Sequence, residues 1–306
     1  MTPGGTVDGP TTIPTAASYL DRLATRSAAS GTVLCVGIDP HPEALPDGFS
    51  RDLRGVEAFA RLILDAAGPF AAAVKPNLAF FEAFGSAGIA ALERLRAAVP
   101  SGLPVVMDAK RGDIGTTAER QAVALYDGLG ADAITVSPYL GEEAIAPLLA
   151  RAGRFAYVLC RTSNPGAGEL QGLIVAPDPD GDAPAEPVWA RIARRAGTWG
   201  PGGTLGLVVG ATAPAELGAM RRLAPGLAFL VPGVGAQGGD EAVVLADGPA
   251  TAPPAGIHAG GGLLVNVSRG IAGAASARPG TTGRGDPGEA IAAAARDWAA
   301  RLPVLP

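Results

Sequence analysis

The sequence predicts an α/β protein, a single-domain (β/α)8 TIM barrel, and three observations carry that prediction. Eight short runs rich in Val, Ile, Leu and Ala recur at 33–38, 71–75, 104–109, 132–137, 155–160, 205–210, 227–231 and 263–267. Segments with helical spacing separate most of them, at 52–67, 82–98, 115–129, 141–151, 187–199 and 213–223. The chain has 306 residues, of which 48% are hydrophobic and 17% charged, ample for one large core. Alternating strands and helices give a parallel sheet buried on both faces, because each crossover lays a helix against it. Eight such units favour a closed barrel over an open doubly wound sheet.

Residues 1–14 read as a disordered lead-in, and 15–306 as the barrel domain, opened by a helix at 15–28. Gly, Pro and Asp content predicts loops at 164–186, 245–262 and 273–287. The first follows a strand directly and so rises from the C-terminal mouth, where barrel sites lie. A formal charge of -5 leaves no basic stripe for a nucleic-acid backbone, so nucleic acid is not an expected partner. Cys35 and Cys160 both sit in apolar runs, which argues against a disulfide framework and fits a reducing, cytoplasmic compartment. The opening MTPGGTVDGPTTIPT lacks a basic start and an apolar stretch, and nowhere do eighteen uncharged apolar residues run together. Neither export nor membrane insertion is expected.

Chemistry concentrates at strand ends. In VVMDAKRGDIGTT (105–117), Asp108 and Lys110 stand two apart and so point to the same face. Two such charges are costly to desolvate unless paired, and the pair reads either as a structural cap or as part of a site. Asp113, at the start of the following helix, reads as an N-cap. AAAVKPNLAFFE brings Lys75 to the same rim, VGIDPHPE adds Asp39, and VLCRTSNPG adds Arg161, Thr162, Ser163 and Asn164. One such end would mean little, but four define a rim.

An anion signal lies late in the chain, at LVPGVGAQGGD (230–240) and LLVNVSRGI (263–271). The loops after barrel strands seven and eight commonly hold phosphate, with glycines exposing backbone amides. Gly233, Gly235, Gly238 and Gly239 are expected to supply those amides, Gln237 a side-chain donor and Arg269 a bidentate charge. The alternative is a set of tight turns with no ligand.

DAKRGDIGTTA, KPNLAFFE, TSNPG and PGVGAQGGD, in collinear order from about Val33 to Ile271, resemble the orotidine 5′-monophosphate decarboxylase family, in its longer bacterial form. The resemblance implies a carboxy-lyase that converts orotidine 5′-monophosphate to uridine 5′-monophosphate and CO2 in de novo pyrimidine biosynthesis. It implies a homodimer with shared sites, in which Lys75, Asp108, Lys110 and the neighbouring subunit's copy of Asp113 form an alternating charge array. Lys110 would protonate C6 of the pyrimidine, and Asp108 would lie near the substrate carboxylate. Asp39, Lys75 and Thr117 would hold the ribose, with Asn77 nearby, and Ser163 the pyrimidine amide. Gln237 and Arg269 would grip phosphate while Pro165–Gln171 closes over the nucleotide.

No cofactor or metal is expected. There is no G-x-x-x-x-G-K-[ST], and no G-x-G-x-x-G in a strand-to-helix turn with a distal acidic residue. His41, between Asp39 and Glu43, reads as a loop residue more readily than as a ligand. Two other functions stay open. A related barrel acting on a ketosugar phosphate through Mg2+ would need a further acidic ligand after the Lys75 strand, where Glu82 is the nearest candidate, expected at a helix start. A non-catalytic phosphometabolite binder would need no charge array at all.

Overall fold

The computed structural model describes residues 17–177, 184–235, 237–276 and 286–305. The expected lead-in, 1–14, lies outside the described residues. The first helix, α1 (Tyr19–Ser30), opens on a reciprocal cap between Ser18 and Asp21 and stops at Gly31, whose φ of 69° suits a residue without Cβ. It leads into β1 (Leu34–Ile38), α2 (Leu53–Ala67), β2 (Ala73–Pro76), the short α3 (Ala79–Glu82) and α4 (Gly85–Ala97). Next come β3 (Val106–Arg111), α5 (Gly115–Ala122), β4 (Ala133–Val136), α6 (Ala146–Leu149) and β5 (Phe155–Arg161). A side excursion holds α7 (Ala167–Gln171) and the antiparallel pair β6 (Ile174–Val175) and β7 (Glu186–Pro187). The chain then runs through α8 (Val188–Ala196), β8 (Leu205–Val209), α9 (Pro214–Leu223), β9 (Ala228–Pro232) and α10 (Glu241–Asp247). It ends in β10 (Leu264–Val267), α11 (Arg269–Ala272) and α12 (Pro287–Arg301).

The main sheet has eight parallel strands in the order β2-β1-β10-β9-β8-β5-β4-β3. Parallel bridges from Val74 to Val105 and from Asn77 to Asp108 join its two ends, so the sheet closes as a (β/α)8 barrel. All eight runs marked by the sequence are its strands, shifted by at most two residues at either end.

Period-two alternation fills the lumen. Cys35, Ala73, Val106, Ala133, Tyr157, Leu230 and Leu264 pack together inside. From below, α1 plugs the barrel: Tyr19 stacks on Phe155 with ring centroids 4.7 Å apart, and its hydroxyl lies 3.2 Å from that of Tyr157. One step of two residues up the same walls lie Lys75, Asp108, Thr135 and Asn266. The apolar floor thus fixes which side chains reach the C-terminal mouth.

The connections differ more from expectation. The helix expected over 141–151 shrinks to α6, hemmed between Gly141 and Gly153, both with positive φ. The segment 82–98 breaks between α3 and α4, so Glu82 ends a helix and does not start one. The expected loop 245–262 contains two 3-10 turns, Ala255–Ile257 and Ala259–Gly262. Helix α12 was not expected, although Asp286 as N-cap and Pro287 as first helical residue announce it.

Candidate active site

The barrel register carries Lys75 on β2 beside Gly37 of β1, one layer above Ala73. Its side chain is 5% exposed, and its Nζ donates to Asp108 Oδ2 at 2.6 Å. Lys110 Nζ, half exposed, donates to the other oxygen, Oδ1, at 2.5 Å. One carboxylate therefore lies between two ammonium groups. Burial alone would raise the Asp108 pKa, but the charges of Lys75 and Lys110 outweigh it and hold the carboxyl well below the usual range. For Lys75, burial works to lower the pKa, while Asp108 and Asp39 reverse the sign and raise it. Asp108 and Lys75 are therefore both ionised at neutral pH and hold each other charged.

Thr135 of β4 completes this cluster. Its hydroxyl donates to Asp108 Oδ1 at 3.0 Å and accepts from the amides of Ala109 and Lys110, each at 3.0 Å. Above it opens a cavity of about 230 Å³. Lys75, Asp108, Lys110 and Thr135 form one wall, Leu159, Val208, Leu230 and Pro232 the other, and Thr162, Ser163 and Asn164 the rim. A flat ring with one apolar and one polar edge suits such a space. Thr135 and the apolar wall escaped the sequence reading, though the parity of each strand marks them as inward positions.

Asp39 follows β1, and its Oδ1 is buried without a hydrogen-bond partner among the described residues. Asn77 sits beside Asp108 across the seam, where its Oδ1 accepts from Ala79 N and opens α3. Ser163 packs against Gly210 and Gly233, where an added Cβ would lie 3.0 and 3.1 Å from its own Cβ. That segment is fastened on both sides: Gln171 accepts from the Thr162 amide at 2.9 Å, and Arg161 donates to the Thr162 carbonyl at 2.8 Å.

The loops after β9 and β10 lie side by side, since those strands pair from Leu230 with Leu264 onward. Gly233, Gly235 and Gly238 take positive φ, a conformation that suits residues without Cβ. The expected role of Gly238 and Gly239 changes, however. Their amides donate inside the turn, to Gly235 O at 2.8 Å and Gly233 O at 3.0 Å, so these glycines close the loop that presents Gln237. Trp298 of α12 lies beneath both loops. A Cβ on Gly235 would come within 3.0 Å of the indole ring, and one on Gly270 within 2.9 Å of its Nε1. Arg269 is the first residue of α11 and is exposed.

Two expected residues stand apart from this cluster. Asp113 and Thr117 do not line the cavity. Asp113 Oδ1 accepts from the amide of Ile114, and the helix cap falls on Ile114, so Asp113 is not the N-cap. His41 is exposed and pairs with Glu43, and among the described residues no group of three His, Cys, Asp or Glu could hold a metal. Glu82 is engaged by Arg111. A wider groove between α5 and α6, lined by Glu119, Arg120, Glu143 and Arg151, lies on the outer wall and holds no comparable array.

Fold and site together define a class: a (β/α)8-barrel enzyme with a buried lysine–aspartate centre at its C-terminal mouth. The model of the orotidine 5′-phosphate decarboxylase / HUMPS family matches residues 32–281. Orotidine 5′-phosphate decarboxylase of Roseiflexus castenholzii is 44% identical over 287 residues, 93% of this chain and 96% of that protein. A structure of Leishmania donovani OMP decarboxylase matches with a TM-score of 0.75 and 38% identity, covering 93% of this chain and 97% of that one. A structure of Leishmania donovani UMP synthase matches with a TM-score of 0.76 and 40% identity, but this chain spans 55% of it and 92% of itself is covered. The chain belongs to the orotidine 5′-phosphate decarboxylase / HUMPS family.

Proposed function

We propose that this chain is an orotidine 5′-phosphate decarboxylase, which converts orotidine 5′-monophosphate to uridine 5′-monophosphate and CO2 in pyrimidine biosynthesis. The observation that carries the reading is the Asp108 carboxylate held between Lys75 and Lys110 beneath a cavity of matching polarity. When the bond from C6 to the carboxylate breaks, its electron pair stays on C6, and no ring position can delocalise it. The fixed Lys110 ammonium stabilises that charge and passes a proton to C6, and solvent then restores the lysine. Asp108 faces the departing carboxylate, and the apolar wall of Leu159, Val208 and Leu230 offers a dry exit for neutral CO2.

Asp39 supports a ribose role, since its orphaned Oδ1 is an acceptor awaiting a hydroxyl donor. Ser163 reads the pyrimidine amide, and Gln237 and Arg269 bind the phosphate on the loops braced by Trp298, with Pro165–Gln171 closing over the ligand. Binding energy from that distant phosphate helps to hold the ring against the array.

The protein acts as a homodimer in which Asp113 and Thr117 serve the neighbouring site. Their separation from the cavity supports this, as does the exposed apolar surface of Ile114, Tyr139 and Leu140, of which Tyr139 is 84% exposed. A cytoplasmic location is consistent with two buried free cysteines, and no helix among the described residues is long and apolar enough to cross a membrane. The ketosugar-phosphate reading loses its metal ligand, because Glu82 is taken by Arg111. Adding the protein to orotidine 5′-monophosphate should lower its ultraviolet absorbance with stoichiometric release of CO2. Binding without that change would leave a nucleotide binder in its place.

A further inference from the structure

We propose that Thr135 is a positioning residue for this reaction: its hydroxyl fixes the backbone turn that aims Lys110, and holds the Asp108 carboxylate to the same point. The inference rests on the decarboxylase reading above.

The need for such a clamp arises in the β3–β4 register. Val106 faces Ala133 and Met107 faces Ile134, but the next partners are Arg111 and Val136. From Met107 to Arg111 the chain advances four residues, against two from Ile134 to Val136, so β3 carries two extra residues across the slip. Bulged residues lose their ladder partners. Here the amides of Ala109 and Lys110 turn to one acceptor, Thr135 Oγ1. Lys110 itself has φ 49°, the one positive φ outside glycine among the described residues. A left-handed residue with a side chain is strained by about 1–3 kcal/mol and persists only where its surroundings over-determine it.

Thr135 supplies that determination. It is 2% exposed, and its hydroxyl uses every bonding capacity it has, one proton given to Asp108 and two N–H bonds received. A β-branched residue in a strand has restricted χ1, which adds to the rigidity. Because the group is neutral, it locks the array without altering its charge. Serine, valine or alanine at this place would separate hydroxyl from shape.

The test compares Thr135→Val with Thr135→Ser. Loss of the hydroxyl should lower kcat by about 10²-fold, the scale of a misplaced reacting group, while KM and the affinity for uridine 5′-monophosphate stay near wild type. Thr135→Ser should restore most of kcat. A merely structural role would lower the unfolding midpoint of Thr135→Val and leave kcat per folded molecule intact, which overturns the proposal, as would a serine variant as impaired as valine. If Thr135→Val does not fold, Thr135→Ala against Thr135→Ser makes the same comparison. Failure of the wild-type protein to release CO2 from orotidine 5′-monophosphate would instead defeat the underlying reading and the inference with it.

Discussion

Lys75 and Asp108 approach to 2.6 Å across the β2–β3 seam where the two ends of the sheet meet, so the ion pair of the charge array spans the closure of the barrel. Both side chains are buried, 5% and 12% exposed. Barrel closure and the proposed catalytic geometry therefore share one ion pair.

Stability should follow the protonation of that pair. The Asp108 pKa is depressed in the folded state, so its contribution is complete above the ordinary carboxylate value of about 4 and is lost as pH falls through the lower folded value. The Lys75 pKa is raised, so its contribution is complete below about 10.4 and is lost as pH rises through the higher folded value. Asp108→Asn leaves the buried Lys75 ammonium with Asp39 as its remaining counter-charge and should destabilise by about 3–5 kcal/mol at neutral pH. Denaturant titrations at several pH values check this: the gap between wild type and variant should narrow below pH 4, and a constant gap would deny the linkage.

Under the proposed function, decarboxylation should persist in excess chelator, because that reading assigns the charge at C6 to Lys110 and not to a bound cation. Activity lost with EDTA and restored by Mg2+ would favour sugar-phosphate chemistry through an enediolate.

Arg269→Ala should reduce kcat/KM by about one to two orders of magnitude, the worth of a charged hydrogen bond, with most of the loss in KM. Added guanidinium should recover part of it. Equal loss on the phosphate-free nucleoside would remove Arg269 from the phosphate site. Gly270→Ala, which sets a Cβ within 2.9 Å of Trp298 Nε1, should raise KM in the same direction by displacing the adjacent Arg269.

The sequence exposed what depends on local pattern and hid what depends on register. Strand runs, the shared face of Asp108 and Lys110, and the glycine turns are short-range features, and each reappears in the structure. Thr135 is a neutral residue in an apolar strand, and its importance exists only because β3 slips against β4. Gly238 and Gly239 looked like exposed donors until the turn that consumes their amides was in view. Helix α12 hid behind an Ala-rich run whose cap, Asp286-Pro287, falls at the end of the stretch 273–287 read as loop, and with it Trp298 under the loops after β9 and β10 was missed.

The shared-site model makes the sharpest demand. Asp113 is anchored on its own chain by donating its amide to Ala144 O and accepting from Ile114, and it does not line the cavity that holds Asp108. If it completes the array of the neighbouring subunit, every site draws on two chains. Lys110→Ala and Asp113→Ala homodimers should each be crippled, since all their sites lack one member. Unfolding, mixing and refolding the two variants in equal amounts makes roughly half of the dimers mixed by random pairing. In a mixed dimer one site collects both substitutions and the other collects none. Roughly a quarter of all sites should then regain wild-type turnover, measured as CO2 release against the total of refolded dimer. Heterodimers isolated by differential tags that stay inactive would place Asp113 in the site of its own chain.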